Sequence, residues 1–373
     1  MRPFRHCAAH ASLRAVHLPT VLQAAGAFLL FAISAQAETP PWRDETARMQ
    51  QLAEGVFVIL HDDATDEWPH GNTGIVVGDE GVLVVDSCYL PSRAKADIAL
   101  IRQVTDKPVR YLAITHWHFD HNNGTVAYKE AYPALTVVSE RETARFIDLN
   151  GTWWSRMNAA SGSEKRSSLA DKETELATAK DDPVARRSLE TLIRRRRGEL
   201  EELTALRVVP PDLLFERELN LDLGGRRVEL RDWGRANSPH DVTVYLPDQR
   251  ILFTGDIVVQ SPLPYSGASW PVPWIEVLRD LEAMPVAALV PGHGPVQPGH
   301  DYTRQVRELL ERVTSRVEAM AREGKTLEQI QASFEANDLR KGVWADPALD
   351  EDWKVTMTTL IERAWRGVRG QGG

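Results

Sequence analysis

The sequence predicts a layered α/β protein, and three observations carry that prediction. Short runs of aliphatic and β-branched residues recur along the chain. Stretches with apolar residues at helical spacing separate them. Turns rich in Gly, Pro and Asp punctuate both kinds of segment. With 373 residues the chain is long enough to bury a large core.

Taken in order, residues 55–61 alternate apolar side chains and are expected to form a strand. Residues 74–78 and 82–85 read as two more strands, joined by the turn Gly78-Asp79-Glu80-Gly81. Residues 92–104 carry Ile98, Leu100, Ile101 and Val104 at helical spacing. A strand over 109–114, a strand over 135–138 and a helix over 140–149 repeat the alternation. From about 162 to 207 the chain is dense in charge, with leucines at 169, 176, 189, 192, 203 and 206. Asp181-Asp182-Pro183 interrupts this segment, and proline suits a first helical position. The expectation is a charged α-hairpin inserted into the main domain, its Arg194 to Arg197 run forming a solvated face. Strands are then expected at 219–223, 228–233, 242–246, 251–253 and 287–290, with a helix over 274–284. Helices over 302–322, 327–337 and 352–369 close the chain. With no linker rich in Gly or Ser, residues 38–373 read as one domain with its insertion.

Residues 1–37 look like an export signal. Arg2, Arg5 and Arg14 supply positive charge, and no acidic residue precedes Glu38. An apolar stretch over 21–33 leads to Ala35-Gln36-Ala37, a small-x-small cleavage site. The stretch is short for a membrane span. The reading is a periplasmic protein without stable membrane insertion once the signal is cleaved. A net charge of −9 does not suit nucleic-acid binding. Of two cysteines, Cys7 lies in the signal, so Cys88 has no internal disulfide partner. Cys88 reads as a core or near-site thiol, with zinc ligation as the alternative.

The most informative run is Thr115-His116-Trp117-His118-Phe119-Asp120-His121-Asn122-Asn123-Gly124. At i and i+2 on a strand end, His116 and His118 can grip one cation, and Asp120 and His121 can turn toward a second. Imidazole and carboxylate together suit zinc. Two later segments offer further donors, Asp256 in Thr254-Gly255-Asp256 and His293 in Pro291-Gly292-His293-Gly294. Each follows an apolar strand, and glycine allows the tight turn that aims the side chain.

The order HxHxDH, Gly-Asp, Pro-Gly-His-Gly resembles the metallo-β-lactamase superfamily over nearly all of the chain outside the signal and the helical insertion. The resemblance implies an αββα sandwich with metals at the sheet edge. It implies that His116 and His118 bind a first metal, that Asp120, His121 and His293 bind a second, and that Asp256 bridges them. The bridging Asp256 is more similar to glyoxalase II-like and lactonase-like branches than to the β-lactamases. One segment departs from the pattern. Where the family has histidine as third ligand to the first metal, this chain has Asn237, within Asn237-Ser238-Pro239-His240-Asp241. Either Asn237 or His240 completes that site, or the site is used differently, leaving His240 to support the ligands or touch substrate.

The implied function is zinc-dependent hydrolysis. Hydroxide formed on one or two Zn²⁺ ions attacks a small carbonyl-type substrate (ester, lactone, thioester or amide), with Asp120 orienting it and relaying a proton. Three alternatives stand beside this: a β-lactamase proper, an iron-dependent sulfur dioxygenase-like enzyme, and a metal-binding protein without turnover. Tyr265, in the loop after Asp256, is a candidate substrate contact. Trp153, Trp154, Trp233, Trp270 and Trp274 are candidates for the cleft wall, with core packing as the alternative. The oligomeric state is not readable from the sequence.

Overall fold

The computed structural model describes residues 47–61, 70–179, 182–260, 266–334 and 350–370. Residues 1–37, read above as an export signal, and Tyr265 lie outside the described residues.

Seven strands form the first sheet: β1 (Ala47–Ala53), β2 (Val56–His61), β3 (Thr73–Val77), β4 (Val82–Val85), β5 (Val109–Ala113), β6 (Thr136–Glu140) and β7 (Leu213–Phe215). They lie side by side in chain order. The first four pair antiparallel and the rest parallel. The parallel steps need crossovers. These are supplied by α1 (Pro91–Val104), by the short α2 (Phe119–Asn122) with α3 (Thr125–Ala131), and by the hairpin of α4 (Arg141–Thr178) and α5 (Pro183–Ala205).

The second sheet has the order β12-β11-β10-β9-β8, with β8 (Glu218–Asp222), β9 (Arg227–Asp232), β10 (Val242–Leu246), β11 (Ile251–Phe253) and β12 (Ala288–Val290). Helices α6 (Pro271–Glu282), α7 (Asp301–Arg322), α8 (Leu327–Ser333) and α9 (Asp350–Val368) follow or interleave.

Side-chain alternation decides the layering. Leu83 and Val85 of β4 join Val242, Val244, Ile251 and Phe253 in a core between the two sheets. Val82 and Val84, on the opposite face of β4, pack with Ile98 and Ile101 of α1 and Tyr128 of α3. Leu252 and Leu289 of the second sheet face Leu278 of α6, Val306 and Leu310 of α7 and Trp353 of α9. The result is the expected four-layer αββα sandwich.

The helical insertion differs from its expected outline. Its first arm is continuous with the helix after β6, so α4 runs 38 residues without a break. Glu140 caps its start through the Thr143 backbone nitrogen. Asp182 caps α5 by accepting from the Val184 and Ala185 nitrogens, and Pro183 occupies the first turn. The hairpin docks on the main body through a Tyr89–Glu199 hydrogen bond and Leu203, which packs against Tyr89, Leu90 and Phe119.

Candidate active site

All candidate ligands lie in short segments just past strand ends, Asp120 and His121 on α2. His116, His118, Asp120 and His121 follow β5, Asp256 sits in a 3-10 turn after β11, and His293 follows β12. Each is buried. The structure brings them together in two overlapping groups: Asp120, His121, Asp256 and His293, and His116, His118 and Asp256.

Within the first group, His293 Nε2 lies 2.9 Å from Asp120 Oδ2, and His121 Nε2 lies 3.4 Å from the same oxygen. Asp256 Oδ1 is 3.2 Å from His121 Nε2 and 3.6 Å from His293 Nε2. In the second group, His116 Nε2 lies 2.9 Å from His118 Nδ1 and 3.6 Å from Asp256 Oδ2. The two oxygens of Asp256 therefore face different imidazole sets.

The electrostatics follow from burial and crowding. Burial pushes the Asp120 and Asp256 carboxyls up, but adjacent imidazoles overcome it and hold both well below the usual carboxylate range. His118 is pushed down to about 3 by burial, with His116 beside it adding repulsion. His121 moves the other way. Burial lowers it, but Asp256, Asp120 and Asp86 surround it and raise it well above the ordinary value. Burial raises Asp241 to about 6 despite nearby His116.

The donor set fits a pair of divalent cations. Four imidazoles and two carboxylates converge, and buried His121 Nε2 and Asp256 Oδ1, though 3.2 Å apart, form no aligned hydrogen bond. Buried polar atoms of that kind call for a partner. Nitrogen and oxygen donors around open positions suit zinc.

Several supporting residues carried no signal in the sequence. Asp86 accepts from the Thr115 backbone nitrogen and hydroxyl, each at 2.8 Å, and its Oδ2 lies 2.8 Å from His121 Nδ1. It thereby fixes the orientation of that ring. Asn72 donates to the Pro291 and Gly294 carbonyls and pins the loop bearing His293. Gly71 presses against the His121 ring and Gly292 against Asp256, where a methyl group would collide with either. A polar residue after a strand-like run could have marked Asp86, but only distance shows its partner.

The loop before β10 lies beside His116, because the Val242 nitrogen donates to the Thr115 carbonyl. Asn237 is fully buried in it. His240 is turned elsewhere, with Nδ1 3.1 Å from Asp232 Oδ2 and 3.7 Å from Glu140 Oε2. Of the roles the sequence leaves open for His240, this placement favours support through the carboxylates of Asp232 on β9 and Glu140 on β6. Trp274, a candidate for the cleft wall, instead packs in the core and donates to the Ile257 carbonyl at 3.0 Å.

Residues 66–315 match the sequence profile of the metallo-beta-lactamase superfamily. The chain belongs to that superfamily. It is thereby a member of a group of hydrolytic enzymes. Among characterised relatives it is similar to a linear primary-alkylsulfatase from a Pseudomonas strain, 23% identical over 243 residues. That match covers 62% of this chain and 43% of the relative, so the chain spans less than half the relative's length. Among solved structures it is similar to a metallo-beta-lactamase from Pontibacter korlensis, at TM-score 0.50 and 18% identity, covering 71% of this chain and 99% of that one. It is also similar to the stereoselective inverting sec-alkylsulfatase Pisa1 from Pseudomonas sp., at TM-score 0.58 and 17% identity, covering 86% of this chain and 50% of that one. At these identities the structural likeness concerns the fold. No helix among the described residues is long and apolar enough to cross a membrane.

Proposed function

We propose that this superfamily member is a zinc-dependent hydrolase with a dinuclear site, acting on a small ester-type substrate. The observation that carries the reading is Asp256. Its Oδ2 faces His116 and its Oδ1 faces His121 and His293, as a carboxylate shared by two cations would. In this reading His116 and His118 would hold the first ion, with Asn237 as the neighbouring donor, and Asp120, His121 and His293 would hold the second. Bound zinc supplies Lewis acidity toward the substrate and activation of water near neutral pH.

The protein's own groups do the rest. Asp120, held ionised by His121 and His293, orients the attacking water and passes its proton to the leaving group. Asp86 keeps the His121 ring aligned, and Asn72 keeps the His293 loop in place. A neutral amide at Asn237 is a weaker zinc donor than imidazole, so the first ion should be the more easily lost.

A second reading concerns the substrate. The carbonyl esters, lactones, thioesters and amides considered first share this chemistry with sulfate esters. Two relatives are alkylsulfatases, and the protein carries cationic groups beside Asn237. The Trp270 nitrogen donates to the Ala236 carbonyl, and its ring lies 5.4 Å from the Arg235 guanidinium and 4.9 Å from that of Arg363. Arg235, two residues before Asn237 on the same loop, favours an anionic ester. Residues 1–37 are proposed to direct export to the periplasm, which the mass of the secreted form would test.

Metal analysis of the purified protein, with turnover across ester, lactone, β-lactam and alkyl sulfate panels, tests the proposal. Zinc in both groups, with ester turnover abolished by a chelator, is the expected result. Bound iron with oxygen consumption would overturn it, as would zinc without turnover on any panel.

A further inference from the structure

A second cluster of metal-ligating side chains lies apart from the candidate active site. His61 ends β2, Thr73 begins β3, Cys88 sits between β4 and α1, and Asp97 is on α1. All four are buried, and Cys88 and Asp97 have no exposure. Cys88 Sγ lies 2.9 Å from Asp97 Oδ2 and 3.8 Å from His61 Nε2. His61 Nε2 lies 3.1 Å from Asp97 Oδ2. The Thr73 hydroxyl completes the group, 3.3 Å from Cys88 Sγ and 3.2 Å from Asp97 Oδ2.

Three observations narrow what this cluster can do. Its burial denies a substrate access to the Cys88 sulfur, so a nucleophilic triad is ruled out. Asp97 already has a counter-charge, because Arg93 Nε sits 3.2 Å from Oδ1. Arg93 thus neutralises the carboxylate through Oδ1, thiol and hydroxyl gather on Oδ2, and the His61 imidazole faces both oxygens, 3.2 Å from Oδ1 and 3.1 Å from Oδ2. The spacing also has a recognisable size. Zinc bonds of ~2.3 Å to sulfur and ~2.0–2.1 Å to nitrogen or oxygen set tetrahedral ligand-to-ligand edges of roughly 3.3–3.6 Å. Two edges of the His61–Cys88–Asp97 triangle, 3.8 Å and 3.1 Å, come within about 0.3 Å of those lengths, while the 2.9 Å Cys88–Asp97 edge is a hydrogen bond that metal would replace and lengthen.

We propose that His61, Cys88 and Asp97 form a separate, closed metal site for zinc or a similar borderline divalent cation. Thr73 stands at the fourth corner. Thiol and imidazole donors exclude magnesium and calcium as its natural occupants. When empty, Cys88 holds its proton, since burial and then Asp97 push its pKa well above the ordinary thiol value. Binding displaces that proton to solvent and leaves a thiolate–metal bond. The site staples β2, β3 and α1 around the loop of Asp86-Ser87-Cys88. In that loop Asp86 and Cys88, neither of them glycine, both adopt left-handed backbone conformations. Asp86 is also the residue that orients His121.

The test exploits the single thiol outside the leader. The full chain carrying Cys7→Ser is produced in cobalt-supplemented medium and read by absorption spectroscopy and metal analysis. None of the active-site candidates is a cysteine, so a sulfur-to-cobalt charge-transfer band reports Cys88 alone, whatever the state of those ligands. The band is expected, with one more ion per chain than in the same chain carrying Cys88→Ser, which lacks the band. Absence of the band in the Cys7→Ser chain overturns the proposal even if the Cys88→Ser chain does not fold. So does an equal metal count in the two chains when both fold.

Discussion

Replacing Gly292 with alanine should disable the active site while leaving the sandwich folded. A Cβ built on Gly292 falls 2.0 Å from Asp256 Oδ1, 2.8 Å from the Gly255 carbonyl carbon and 3.0 Å from the Asp256 nitrogen. Real Cβ contacts essentially never fall below 3.0 Å, so the carboxylate oxygen must retreat by about 1 Å. That oxygen is the one facing His121 and His293. A misplacement of about 1 Å at a reacting centre costs on the order of 100-fold in rate, or about 2.7 kcal/mol in the barrier. Gly292 is not in the left-handed region, so alanine adds no backbone strain of its own. The assay is kcat/KM on the best substrate from the panels, together with metal content and circular dichroism. Gly299→Ala is the matched control, since nothing lies within 4 Å of its Cβ. Unchanged metal content and rate in Gly292→Ala would refute the assignment of Asp256 as the shared carboxylate.

Asp86→Asn removes the anionic partner of His121 and should weaken metal binding by about 10- to 100-fold in a chelator competition. His240→Ala should leave metal content unchanged, because its ring is held by Asp232 and Glu140. The same variant tests a pH effect. The hydrogen bond to Asp232 is the main cause raising the His240 pKa, against the effect of burial, with Glu140 and Glu142 adding to it. A group raised on folding stabilises fully below its unfolded value of about 6.5, and that contribution is lost as pH rises through the folded value. The gap in urea midpoint between the parent and His240→Ala should therefore shrink on going from acidic to alkaline pH; a constant gap would count against it. Trp274→Phe strips the donor from the Ile257 carbonyl, which should cost about 1–3 kcal/mol in denaturant unfolding.

Alternating residues exposed the sandwich before any coordinates did. Residues 82–85 read as a strand and form one, with Val84 on the helical side and Leu83 on the inner side. Strands β1 and β7 carry no such signal. The first reads Ala-Arg-Met-Gln-Gln-Leu-Ala and the second has only three residues, so neither carries a clear period. The sequence separates a helix over 140–149 from a charge-dense segment starting near 162, whereas α4 runs through both. The six candidate ligands were legible because each sits in a short, glycine- or histidine-rich motif at a strand end. The contribution of Asp86 and Asn72 was not, because it depends on contacts 35 and 219 residues away along the chain. For His240 the sequence leaves metal ligation, support of the ligands and substrate contact all open, and only the fold shows its ring beside the carboxylates of Asp232 and Glu140.

The candidate ligands are divided between the two sheets, with four residues after β5 in the first and Asp256 and His293 after strands of the second. Neither half of the sandwich owns a complete coordination sphere. Cations bridging those residues would act as a latch across the seam, and the sheets could not part without releasing them. Folding and metal loading then become a single linked equilibrium, in which free metal concentration sets how firmly the halves stay closed.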